Sequence, residues 1–198
     1  MPVAINGSGT ITGLITGGLP DGIVDTDMVS ANAINLAKLG ATSGKNGPIL
    51  QVKQTFKQDT QSITSSGTYS VIFGLGTTMT LSNASNKILI NLSISFAQSA
   101  NNYAAFRLYD GSSAITAAQS TGGAAAGGYD TSIIRYVDTE MANSYLGFSF
   151  SYLYAPGDTN AHTIDLYGNP FNTTLYINRS NNTQYYNTSS MTLMEIAA

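Results

Sequence analysis

The sequence has no cysteine and no tryptophan, one histidine, and charges on only 10% of its 198 residues. Without cysteine there are no disulfides, thiolate metal sites, iron–sulfur clusters or thiol nucleophiles. One histidine rules out a histidine-rich metal cage. A formal net charge of −3 and a pI near 4.8 argue against a nucleic-acid partner, which needs a basic face. No apolar run reaches the roughly 18 residues of a membrane span. The opening MPVAINGSGTITGLITGG has no basic start and is broken by glycine too often for a signal peptide. The charged fraction is well below the roughly 25% of an average domain. Serine, threonine and asparagine, together just under a third of the chain, supply the polarity instead. That composition suits strands and polar loops better than helices.

What is present divides unevenly. Residues 1–48 hold no aromatic residue and are interrupted by GSG, TGG, LPDG and SGKNGP, while residues 49–198 hold every Tyr and Phe. A segment so poor in large side chains does not make its own core, so it is expected to drape along a partner or dock on one. Within it the pattern predicts one short helix, from Asp27 or Ser30 to Leu39, stopped by Gly40. Two half-motifs also align eleven residues apart, Ile23 with Ile34 and Met28 with Leu39. Two copies are thin evidence of a repeat.

From residue 49 onward the hydrophobic period is two. Ile88, Ile90, Leu92, Ile94 and Phe96 alternate with Lys87, Leu89, Asn91, Ser93 and Ser95, which predicts a strand with one face in a core. Leu146, Phe148, Phe150, Tyr152 and Tyr154 repeat the pattern. Shorter alternations occur at Leu50/Val52/Phe56, Ala104/Phe106/Leu108, Ile164/Leu166 and Leu175/Ile177, separated by the turn clusters SSG, SNASN, QSANN, YDGSS, PGD, YGNP and RSNN. Eight to ten short strands with this punctuation predict an all-β, two-sheet antiparallel jelly-roll sandwich preceded by an extended N-terminal segment.

The last apolar segment, Ser189 to Ile196, is apolar on both faces, with Met191 and Leu193 on one and Met194 and Ile196 on the other. Such a strand is central in its sheet or has its outer face covered. A symmetric neighbour is the expected cover.

Three stretches resemble a known family. Ile5-Asn6-Gly7-Ser8-Gly9-Thr10-Ile11-Thr12-Gly13-Leu14, followed by Gly17-Gly18-Leu19-Pro20-Asp21-Gly22, resembles the start of tailed-bacteriophage virion proteins, fibre-type proteins especially. Ala31-Asn32-Ala33-Ile34-Asn35-Leu36-Ala37-Lys38-Leu39 is similar to short elements that recur in their shafts. Ser190-Met191-Thr192-Leu193-Met194-Glu195-Ile196 is similar to the final strand of their distal domains. The resemblance implies a homotrimer whose distal jelly roll is akin to the tumour-necrosis-factor and complement-type heads. It also implies a virion protein made in the host cytoplasm, joined to other capsid or tail proteins through residues 1–48. The chain has room for about one shaft element, so a stubby tail or head fibre and a capsid decoration protein are both open. The groups expected to dock or intertwine are Ile11, Leu14, Ile23, Met28, Ile34 and Leu39. Met191, Leu193, Met194 and Ile196 are expected to serve the trimer.

Candidate chemistry is sparse. Asp138 and Glu140, two apart, would share one face of a strand and could act as an acid/base pair on polysaccharide, but a solvated loop between two strands is the favoured reading. Asp25 and Asp27 suit a helix start. His162 and Asp165 lack a third group for nucleophilic catalysis. Asp158, Asn160 and Asp130 supply too few oxygens for calcium. No enzyme activity, cofactor or metal is therefore expected. Loops offer more. Tyr129 ends a Gly/Ala-rich loop at 121–129, and Asn181, Asn182, Tyr185 and Tyr186 combine amides with aromatic rings, the chemistry that grips saccharides. The seven Asn-x-Ser/Thr sequons follow from composition. The expected function is a trimeric virion fibre contacting a host-surface receptor, with capsid decoration and polysaccharide cleavage as the alternatives.

Overall fold

The computed structural model describes residues 48–64, 67–120, 146–182 and 186–198, together with the backbone of 4–5, 11–12 and 133–137. The helix expected between Asp27 and Leu39 and the eleven-residue alignment lie outside the described residues. The chain divides into two compact units, Met1–Asn46 and Gly47–Ala198. In the first, β1 (Ala4–Ile5) pairs antiparallel with β2 (Ile11–Thr12).

The second unit is a sandwich. Its strands are β3 (Ile49–Lys57), β4 (Gln61–Ile63), β5 (Ser70–Val71), β6 (Thr77–Thr80), β7 (Lys87–Gln98), β8 (Asn102–Asp110) and β9 (Ser113–Ala114). After one 3₁₀ turn at Thr116–Ala118 come β10 (Ile133–Val137), β11 (Leu146–Tyr154), β12 (Ala161–Pro170), β13 (Leu175–Ile177) and β14 (Ser189–Ile196). Several short strands share one line. β3 and β4 pair with β14 and β13 respectively, and both of those pair with β7, whose other side takes β11. The first sheet therefore reads (β3/β4)–(β14/β13)–β7–β11. In the second, β5 and β6 share one line along one side of β12, β12 pairs on its other side with β8, and β8 pairs with β9 and β10. Lettered A to H in chain order, the eight lines give sheets A-H-C-F and B-G-D-E, all antiparallel. That is the strand order of a jelly roll.

The period-two pattern sets what lies between the sheets. Ile88, Ile90, Leu92, Ile94 and Phe96 of β7 face Ala104, Phe106 and Leu108 of β8 and Ile164 and Leu166 of β12 in one buried cluster. Leu146, Phe148, Phe150, Tyr152 and Tyr154 pack against it from β11. Phe96, Phe106 and Phe148 meet edge to face at centroid distances of 5.0 to 6.0 Å, the arrangement favoured by ring quadrupoles. Gly168 faces β13 and β4 of the first sheet at close range. A Cβ there would lie 2.8 Å from Leu175 Cδ2.

β3 reverses the orientation its alternation suggests. Its apolar set, Val52 and Phe56, is exposed, while Gln51, Lys53 and Thr55 share the register of the core-facing Glu195, Leu193 and Met191. The reason is the edge of the sandwich. Gln51 Nε2 donates to Thr80 O at 2.7 Å, Lys53 Nζ to Thr78 O at 2.9 Å, and Thr55 Oγ1 to Gly76 O at 3.3 Å. Further along, Gln61 Nε2 donates to Val71 O and its Oε1 accepts from Phe73 N. Side chains of line A thus satisfy backbone groups along line B, which would otherwise present an open edge. Polar residues are needed inward here, so the apolar ones are turned out.

Candidate functional site

The outward-turned residues of β3 begin a continuous surface. Register places Val52 across from Met194, Met194 across from Leu89, and Leu89 across from Leu153, one apolar row spanning all four lines of the first sheet. Val52 is 55% and Leu153 45% exposed, while Met194 and Leu89 are half-buried. The next row on the same face is polar and neutral: Gln54, Thr192, Asn91 and Ser151. It is tied by Gln54 Nε2 donating to Thr192 Oγ1 at 2.8 Å and Ser151 Oγ donating to Asn91 Oδ1 at 2.7 Å. The third row is Phe56, Ser190, Ser93 and Ser149, mostly small side chains, with Phe56 59% exposed at its end. No charged side chain stands in these three rows. A face with one apolar row, internally bonded amides and hydroxyls, and small serines is suited to close contact with another surface.

The four residues expected to serve a trimer divide between two faces. Met194 and Ile196 lie on this outer face, half-buried. Met191 and Leu193 are 0% exposed and pair with the inward Leu92 and Ile90. They belong to the core and are out of reach of a neighbour. The strand is apolar on both sides because it is central, between β3 and β7, and because its outer side joins the apolar row.

The Asn/Tyr segment forms an excursion between β13 and β14. Asn178, with φ of +58°, starts it, and Arg179 bridges to Tyr186. Asn178 Nδ2 donates to Lys57 O at 2.7 Å and Asp59 O at 3.0 Å, and its Oδ1 accepts from Ser189 Oγ. Arg179 stacks 3.8 Å over Tyr176 and donates to Ser62 Oγ at 3.0 Å. Ser62 also lines a shallow pocket of about 280 Å³ with Gln61, Ile63, Thr64, Ser70, Val71 and Phe73. Tyr186 projects with 67% of its surface exposed. Asn182 is exposed, Asn181 half-buried, and Asn182 Oδ1 accepts from Ser180 Oγ. Tyr185, Tyr129, Leu14, Ile23, Met28, Ile34, Leu39, Asp138 and Glu140 lie outside the described residues, and of Ile11 only the backbone, in β2, is described.

The single histidine has partners that the sequence did not suggest. His162 Nδ1 lies 2.7 Å from Asp110 Oδ2, and Nε2 lies 3.2 Å from Asp158 Oδ1. Tyr154 donates to Asp110 Oδ2 at 2.9 Å. Burial, and then that hydrogen bond, push the Tyr154 phenol up to about 12. Both imidazole nitrogens face carboxylates and neither faces a nucleophile, so the cluster works as a clamp holding the Ala155–Asn160 loop. Asp158 also accepts from Asn160 N at 2.7 Å, an Asx turn rather than the start of a cation site. Asp165, three residues from His162, points to the opposite face of β12. Among the described residues no group of three or more His, Cys, Asp or Glu could hold a metal ion, and no helix is long and apolar enough to cross a membrane.

Glu195 carries a buried network that no sequence motif marks. Its side chain is buried and accepts four hydrogen bonds: Ser82 N, Ser82 Oγ and Asn86 Nδ2 on Oε1, each at 2.7 Å, and Gln51 Nε2 on Oε2 at 2.6 Å. Burial pushes this carboxyl up, but the bonds from Ser82, Asn86 and Gln51 outweigh it and leave it below its ordinary value. The signal available was its parity with Met191 and Leu193, which places a carboxylate on a core face.

No family matches. No protein-family model matches the sequence, and neither does any curated protein. The fold and the surfaces described above therefore carry the functional reading.

Proposed function

We propose that the chain is a structural protein of a tailed-bacteriophage particle, a short homotrimeric tail or head fibre. Residues 1–48 dock to other virion proteins, and the jelly roll is held outward to meet a host-surface receptor. The observation that carries the reading is the outer face of the first sheet, where the row Val52–Met194–Leu89–Leu153 and the two rows beyond it carry no charged side chain, with Lys87, across from Ile196, at the end of the face. Four lines about 4.8 Å apart and strands of about nine residues at about 3.4 Å each make a face of about 20 by 30 Å. That is about 600 Å², about three quarters of the roughly 800 Å² per partner of a standard interface. Fully burying a large aliphatic side chain is worth about 1.5–3 kcal/mol, so covering the exposed parts of this row contributes a few kcal/mol per copy. Three copies would also turn a weak receptor grip at each loop cluster into useful avidity. The resemblance of the two chain ends to fibre-type proteins supplies the particle and the number three.

A competition experiment tests the reading. Purified protein added to host cells should reduce adsorption of the parent phage, and labelled antibody should mark the fibre position on the particle. Label confined to the capsid shell, with adsorption untouched, would instead favour a decoration protein that binds nothing outside.

A further inference from the structure

We propose that the outer face of the second sheet carries a saccharide-binding site built from Tyr109, Tyr167 and Asp165. β12 alternates from Ala161 to Gly168, with Ile164 and Leu166 in the core and Thr163, Asp165 and Tyr167 turned outward. β8 turns Arg107 and Tyr109 to the same side, and register sets Asp165 across from Tyr109 and Tyr167 across from Arg107. Tyr109 and Tyr167, diagonal neighbours, stack at 3.9 Å between centroids and 29° between planes. Beside them Thr78 Oγ1 and Thr163 Oγ1 share a hydrogen bond of 2.8 Å.

Asp165 is the group without an internal explanation. It makes no hydrogen bond and no ion pair among the described residues, while the other described carboxylate side chains of the sandwich, Asp59, Asp110, Asp158 and Glu195, all have partners. Its carboxyl lies in the space that a side chain at residue 76 would occupy, since a Cβ on Gly76 would fall 1.9 Å from Asp165 Oδ1. Burial pushes its pKa up, so it gives up solvation with no described donor to replace it. A carboxylate accepts only, and what it lacks is donors. The phenol hydroxyls of Tyr109 and Tyr167 also bond to nothing among the described residues. One acceptor, two hydroxyls and apolar ring carbon on one flat surface match a sugar, which offers several O–H donors around an apolar C–H face. An ammonium ligand fits worse, because these rings are stacked on each other instead of walling a cage.

The site lies on the sheet opposite the proposed assembly face, so it stays open in an oligomer. It deepens the receptor contact of the proposed function and rests on that reading for its biological role, while binding itself needs only one folded sandwich.

The test uses the full chain on immobilised neutral oligosaccharides, with uronic-acid oligosaccharides and quaternary-ammonium beads as separate arms. Wild-type protein should be retained by at least one neutral saccharide. Asp165→Asn and Tyr167→Ala should each weaken that retention about tenfold or more, with unchanged circular dichroism. Gly76→Ala, which displaces the carboxyl and leaves both tyrosines in place, should weaken it too. Tyr186→Ala on the β13–β14 excursion should change it less than about twofold. The proposal is overturned by no retention on neutral saccharides at millimolar concentration, by retention only on the uronic-acid or ammonium arm, or by retention that Tyr186→Ala removes and Asp165→Asn does not. Light scattering on the same samples reports assembly separately: an assembled protein that binds no neutral saccharide sinks this site alone, and a monomer that binds sinks the trimer alone.

Discussion

Val52 on β3 stands directly across from Met194 on β14, on the outer face of their sheet. Neither touches the core, and Leu89 and Leu153 continue their row to the far strand. A lone exposed aliphatic residue needs no explanation, but a cross-strand row of four does. Because these side chains add little to the isolated sandwich, Met194→Glu should alter its unfolding free energy by less than about 0.5 kcal/mol, read from urea titration at a concentration where wild type and variant have equal mass. A large loss would mean that Met194 is a core residue.

Asn178 should be sensitive in a graded way. Its φ of +58° disfavours a side chain with a Cβ by about 1–2 kcal/mol, while its amide satisfies the carbonyls of Lys57 and Asp59. Asn178→Ala loses the bonds and keeps the backbone penalty; Asn178→Gly loses the bonds alone. Thermal unfolding should rank wild type above Gly above Ala, with Ala about 1 kcal/mol below Gly. Equal melting of the two variants would contradict the backbone assignment.

Glu195 should make stability depend on acid pH. Its carboxyl is held below its ordinary value of 4.5, so the unfolded chain binds the proton more readily. Its contribution is fully present above the unfolded value and is lost as pH falls through the lower folded value. Glu195→Gln should cost about 2 kcal/mol at pH 7, since one amide end must face donors, and the gap to wild type should narrow as pH drops below 4. A gap that widens on acidification would reverse the sign and refute the role.

The line A side chains should differ in worth according to exposure. Lys53 is exposed, so water replaces its bond to Thr78 O in Lys53→Met and the change should stay within about 0.5 kcal/mol. Thr55, half-buried, also shares a 2.6 Å bond with Thr77 Oγ1. Thr55→Val leaves Thr77 unpaired and should cost about 1–2 kcal/mol. Chemical denaturation of both variants checks the order.

Removing the His162 clamp should act locally. His162→Ala should speed amide exchange across the Ala155–Asn160 loop and leave the central amides of β7 and β14 protected. Uniform acceleration would show that His162 supports the whole sandwich.

Much of the fold was legible because period-two alternation on β7, β8, β11, β12 and β13 reports core contact directly. β3 was legible as a strand but not in its orientation. Whether Val52 or Lys53 faces inward depends on which backbone groups an edge leaves unpaired, and that is a property of line B, over twenty residues away. β6 is not legible because Thr77-Thr78-Met79-Thr80 shows only one strongly apolar side chain. The outer face was half legible. Met194 and Ile196 were read from their own strand, but their row needs Leu89, which reads as one apolar intruder among polar neighbours until register sets it beside Met194. The clamp at His162 was hidden for a simpler reason, since Asp110 is fifty-two residues away.

The central claim is that the outer face of the first sheet assembles copies of the chain. Multi-angle light scattering on the purified full chain at micromolar concentration measures it most directly. The account predicts a mass three times the 20.7 kDa of one chain, falling to one chain mass in a Val52→Lys/Met194→Glu double variant that remains folded by circular dichroism. A wild-type protein that stays at one chain mass across that range, or a double variant that stays trimeric, would contradict it.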